Sequence, residues 1–147
     1  MTSTIDKTLE HVLLLARHAG SCTLSAKVIV IMMELRVPTK CVGFEFLKRA
    51  ILLQYKDPTR ALYGDIYQEI ALHYRQTSED QVDQAIREAI EKAWRKGSRE
   101  AWDWYFSYDG RSQAKKPTNS EAISKIACVV ELWQGCCNRE VCYEREC

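Results

Sequence analysis

The chain has no run of about 18 apolar residues, so no membrane-crossing helix is expected. Its longest apolar stretches, HVLLLA and KVIVIMMEL, are short and bracketed by charge. The opening MTSTIDKTLE lacks the basic start and apolar stretch of a secretory signal, and a cytoplasmic location is the default expectation. A phosphate-binding glycine loop, a catalytic-triad spacing and a paired-acid motif are all missing, which argues against an enzyme, and no cofactor is expected. An excess of charge is missing too. Twenty-one Lys and Arg stand against twenty Asp and Glu, a net charge of +1. The molecule as a whole does not announce a nucleic-acid partner, and any DNA affinity must come from an uneven distribution of charge.

Close CxxC pairs are absent as well. There are seven cysteines, at positions 22, 41, 128, 136, 137, 142 and 147. An odd count without an export signal argues against a disulfide framework and for reduced thiols. Cys137, Cys142 and Cys147 recur every five residues, but a closed zinc site usually draws its four ligands from close pairs, and no histidine lies nearby. No metal is expected. His11, His18 and His73 belong to no cysteine or carboxylate constellation and read as surface or packing residues. Trp94, Trp102, Trp104 and Trp133, at helical spacings, read as core anchors.

What is present is helical periodicity. Strand-like alternation is rare, whereas apolar residues recur at spacings of three and four. The pattern predicts an all-α fold, a compact bundle of about six to seven helices. A first helix covers about Ile5 to Ala19. A second covers Ser25 to Leu35 and stops before Val37-Pro38, because a residue preceding proline disfavours the helical region. Its VIVIMM core looks strand-like locally, but Lys27, Glu34 and Arg36 bracket it. A third opens at Gly43 with Phe44, Leu47, Ile51 and Tyr55 as its buried stripe. A short helix is expected over Arg60 to Tyr63, then helices over Ile66 to Tyr74, Ser78 to Lys96 and Ser98 to Ser107. A polar loop over 109–117 precedes a last helix, capped by Thr118 and Glu121 and running to about Trp133. The tail GCCNREVCYEREC has no clear period, and an unstructured, thiol-rich tail is the reading.

Residues 66–90, IYQEIALHYRQTSEDQVDQAIREAI, hold the feature with most functional content. Ile66, Ile70 and Tyr74 share a face, and Ala71 is small where a crossing helix must come close. A polar turn follows, then Ser78 and Gln81 at capping-box spacing. Val82, Ala85, Ile86, Ala89 and Ile90 give the second helix one continuous apolar face. Two helices joined by a tight polar turn, the second amphipathic and capped, make a helix-turn-helix. Any helical bundle contains such pairs, and most bind nothing. The turn here also holds Arg75 and Gln76 where a glycine is usual.

The segments ELRVPTKCVGFEFLKRAI, IYQEIALHY, QVDQAIREAIEKAWRKG, FSY and AKKPTNSEAISKIA occur in this order. Together they resemble the C-terminal effector domain of the stage 0 sporulation response regulator family, over about Val28 to Trp133. The resemblance implies an all-helical fold with a helix-turn-helix that binds short promoter boxes in double-stranded DNA. It also implies tandem dimers on DNA and contact with RNA polymerase. The chain divides accordingly into an extra N-terminal helix (1–24), an effector domain (25–134) and a Cys-rich tail (135–147). About 25 residues precede the match, too few for the family's phosphoacceptor receiver, so no aspartyl phosphorylation site is assigned.

The family presents arginines from the outer face of its recognition helix. Here Gln81 and Gln84 fill two of those basic slots, with Asp83 between them and Arg87 retained, and the turn before them is one residue longer. Residues 76–91 carry Arg87 against Glu79, Asp80, Asp83, Glu88 and Glu91, a net −4. The helix macrodipole favours Glu79 and Asp80 near a helix start, but phosphate contacts supply most DNA affinity, so these acids weaken binding. Gln81 and Gln84 can pair with adenine, and Asp83 can accept from cytosine. Residues 92–116 carry +4, and Lys115-Lys116, just ahead of Pro117 and a helix start, are the better phosphate contacts. The DNA-facing set is Ser78, Gln81, Asp83, Gln84, Arg87, Lys115 and Lys116. A second reading is a protein-interaction module that keeps the fold, has lost tight DNA binding and modulates a full-length regulator.

Overall fold

A computed structural model describes residues 11–13, 23–107 and 114–146, with side chains to residue 135. Among them the chain is helical, with no strand. The elements are α1 (Leu24–Glu34), α2 (Val42–Lys56), α3 (Tyr67–His73), α4 (Glu79–Lys96), α5 (Arg99–Phe106) and α6 (Asn119–Glu146). Most of the helix expected over 5–19 lies outside the described residues; 11–13 are helical.

α1 is a helix in spite of its β-branched run because its ends are both defined. Thr23 Oγ1 accepts the Ala26 N–H at 3.2 Å, satisfying one orphan donor of the first turn. At the other end Leu35 caps, and Arg36 turns the chain with φ 65° ahead of Val37-Pro38. Lys27 does not bracket this helix on the surface. It is buried, and its Nζ donates to Gln134 Oε1 at 2.5 Å, tying α1 to α6. Its ammonium also lies 5.8 Å from the Trp133 ring centre, within cation–π range.

α2 is the hub, packing against α1, α3, α4 and α6. Phe44, Leu47 and Ile51 are buried as the spacing predicts, and each such side chain contributes about 1.5–3 kcal/mol of burial. α4 answers with Val82, Ile86, Ala89, Ile90 and Ala93, and α6 with Ile123, Ile126, Val130 and Trp133. The two backbones meet closest where Gly43 of α2 faces α4. A Cβ at Gly43 would lie 2.2 Å from the Ala85 carbonyl oxygen and 2.9 Å from Ala89 Cβ. The tight approach assigned to Ala71 thus has its counterpart at Gly43, one helix earlier.

Two expectations need correcting. Residues 60–63 form no helix: the chain makes a wide turn over Leu62–Ile66, with Tyr63 extended (φ −74°, ψ 140°) and Gly64 left-handed at φ 79°. Arg60 holds the turn by donating to Asp65 Oδ1 at 2.6 Å and Glu69 Oε1 at 3.0 Å. The last helix does not stop near Trp133 but continues to Glu146. Nothing in its sequence ends it: no proline follows Pro117, and Gly135 sits mid-helix without an αL turn.

The α3–α4 turn solves its missing glycine with Gln76, which adopts φ 61°. A non-glycine residue there carries a left-handed penalty of about 1–2 kcal/mol, partly offset by glycine's larger unfolded-state entropy. Gln76→Gly is therefore expected to raise stability by roughly 0.5–1 kcal/mol, read as a higher urea midpoint at unchanged slope.

Candidate nucleic-acid interface

Because Val82, Ile86, Ala89 and Ile90 turn into the core, the opposite face of α4 must turn out. Gln81, Gln84 and Arg87 lie on it, all exposed. The helix start is held by a reciprocal capping box. Gln81 N–H donates to Ser78 Oγ at 3.2 Å, and Ser78 N–H donates to Gln81 Oε1 at 2.8 Å. Ser78 is thereby the cap that sets where the outward face begins. Farther along, Gln84 Nε2 donates to Glu88 Oε1 at 3.2 Å and accepts Arg87 Nη1 on its own Oε1 at 3.2 Å.

The acids that open α4 have partners in the 62–66 turn ahead of α3. Glu79 Oε1 accepts the Gly64 N–H at 2.5 Å, and Tyr63 OH reaches Asp80 Oδ1 at 3.4 Å. They fasten the 62–66 turn against α4 in addition to satisfying its dipole. Tyr63, 52% exposed, is thereby placed at the edge of the same face. Sequence reasoning passed over it because its hydrogen-bond partner Asp80 lies 17 residues away and no local spacing announces it.

Asp83 does not face outward. It is 8% exposed, and its carboxylate is divided among three elements. Oδ1 accepts Tyr67 OH from α3 and Asn119 Nδ2 from the start of α6, both at 2.9 Å. Oδ2 accepts Arg87 Nη2 at 2.6 Å. Asn119 Nδ2 also reaches the Asp83 carbonyl at 2.9 Å. Residue 83 sits one position after Val82 and three before Ile86, so helical rotation brings it to the margin of the core rather than to the groove. As a reader of cytosine it is out of place. Burial first, and the Asp83 carboxylate next, push the Tyr67 phenol well above the usual tyrosine range, so it stays a neutral donor.

Lys115 is exposed, and Lys116 forms an ion pair across to Glu91 on α4. Thr118 Oγ1 accepts the Glu121 N–H at 3.2 Å and starts α6 immediately behind the two lysines. Between the 62–63 turn, α4 and this strand of loop lies a cleft of about 480 Å³, bordered by Tyr63, Asp83, Arg87, Glu91, Lys116 and Asn119. The hydrogen bond from Lys116 holds the Glu91 carboxyl below the usual glutamate range. A folded pKa lower than the unfolded one means the contact stabilises above the ordinary glutamate range. That stability is lost as pH falls through the lowered value. In a carboxyl-carbon NMR titration, Glu91 is expected to show a lower midpoint in the native chain than in Lys116→Gln.

The family model described as sporulation initiation factor Spo0A C terminal matches residues 28–130. The chain belongs to this family. The match covers more than two thirds of the sequence and spans α2 to α5, all but the first four residues of α1, and α6 as far as Val130. The all-α architecture and the helix-turn-helix are those of a Spo0A-type DNA-binding effector domain, a transcription-regulator domain rather than an enzyme family. Among the described residues no helix is long and apolar enough to cross a membrane, and no group of three His, Cys, Asp or Glu side chains is placed to hold a metal.

Proposed function

We infer that this chain is a sequence-specific DNA-binding transcriptional regulator working in the cytoplasm. Gln81, Gln84 and Arg87 enter the major groove, and Lys115 and Lys116 hold the phosphate backbone. Ser78 acts by fixing the helix start, where backbone N–H groups meet a phosphate. The observation that carries this reading is the joint exposure of Gln81, Gln84 and Arg87 on a helix whose other face is core. An amide that offers both an acceptor and donors suits adenine, and a guanidinium suits guanine. Replacing two basic slots by glutamine shifts the preferred box toward adenine and lowers the non-specific term. Family membership supports pairing of two copies on adjacent boxes and contact with RNA polymerase.

The second reading, an interaction module that modulates a full-length regulator, is favoured by one observation: Arg87 and Lys116 are both paired with acids of α4. Selection from a random duplex pool at two salt concentrations separates the two. Enrichment of a common box, with affinity falling as salt rises, is expected. Absence of any enrichment at low salt would sink the regulator and leave the module.

A further inference from the structure

The geometry points to Asp83 as a positioning residue that fixes the Arg87 guanidinium for base readout, an inference that rests on the DNA-reading function proposed above. The Arg87 side chain is 61% exposed, whereas that of Asp83 is only 11% exposed. An exposed arginine normally samples many rotamers and must be ordered when it binds, which costs affinity for the correct base. Here Nη2 is held by Asp83 Oδ2 at 2.6 Å and Nη1 by Gln84 Oε1 at 3.2 Å. Two anchors on a planar fork define its plane, while Nε–H and the second proton on each Nη are left for other acceptors.

The clamp is rigid because Asp83 is itself held. Its Oδ1 is occupied by Tyr67 of α3 and Asn119 of α6, so the carboxylate cannot rotate to follow Arg87. The two oxygens therefore have separate tasks: Oδ1 joins three helices, and Oδ2 aims the arginine. The negative charge beside Arg87 also lowers its pull on any phosphate. Asp83 thus sharpens selectivity twice, by pre-ordering the correct contact and by weakening the sequence-independent one.

Asp83→Asn separates the tasks. An asparagine Oδ1 still accepts from Tyr67 and Asn119, but its NH2 group cannot accept from Arg87. Equilibrium titrations of the full chain use the box enriched from the random pool and a scrambled duplex of the same composition. In D83N the ratio of specific to scrambled affinity is expected to fall about tenfold, the scale of one good bidentate pair, while scrambled binding holds or rises. Arg87→Ala, at an exposed site, is expected to lose the same ratio, and D83N added to it to cost nothing further. Tyr67→Phe removes a bond to Oδ1 only and is expected to lower Tm with the ratio unchanged.

In the free protein, the two Nη groups held by Asp83 and Gln84 are expected to rotate slowly and give resolved Nη–H resonances in the native chain, and to average in D83N. A native ratio in D83N, an equal loss in Tyr67→Phe, or additive losses in the double variant each overturn the positioning role. No enrichment by the native chain overturns the DNA reading and with it the role in specificity. The Nη–H comparison then still reports whether Asp83 holds Arg87 at all.

Discussion

Replacing Gly43 by alanine is expected to destabilise the fold by about 3 kcal/mol, the upper end of the usual cost of overpacking. The new Cβ would sit 2.2 Å from a backbone carbonyl, that of Ala85, and 2.9 Å from Ala89 Cβ. Neither obstacle is the tip of a flexible side chain, so relief requires α2 and α4 to separate. Alanine's better helix propensity returns only about 0.5–1 kcal/mol. For a chain of this length, thermal unfolding should show a fall in Tm of roughly 6–12 °C. Because α4 is the displaced helix, duplex binding should weaken along with stability. An unchanged Tm would mean that the two helices are not packed backbone to backbone.

The largest functional effect is expected from reversing the lysine pair. Lys115→Glu with Lys116→Glu removes two phosphate contacts, and each contact contributes a salt slope of about −0.9. At 50 mM salt that predicts a loss of about 100-fold in affinity for the enriched box and a slope shallower by about 1.8. Lys116 must leave Glu91 before it meets a phosphate, but an exposed ion pair of this kind is a weak competitor. Base preference should stay the same, since phosphate contacts set register and carry no sequence information. A change in the selected box with an unaltered salt slope would place the phosphates elsewhere.

Most of the fold was legible because its signals are local. The α4 start was readable from Ser78 and Gln81, the helix stop before Val37-Pro38 from proline sterics, and the core face of α4 from the spacing of Val82, Ile86, Ala89 and Ile90. The exposure of Gln81, Gln84 and Arg87 followed from the same rotation. The order of the segments ending in AKKPTNSE was enough to suggest the family that residues 28–130 match.

What the tertiary structure decided concerns groups whose partners are far along the chain. Asp83 looks like one more acid on an acidic helix until Tyr67 and Asn119, sixteen residues before and thirty-six after, converge on it. Lys27 bears the same charge as any surface lysine, yet it is buried beside Trp133 and Gln134 of α6. Gly43 reads as an ordinary helix opener until α4 is laid across it. Periodicity reports which side of a helix is apolar, because that depends only on the rise and turn of the helix itself. Which polar group is buried, and where two backbones touch, depends on how separate helices cross, and no single helix carries that information.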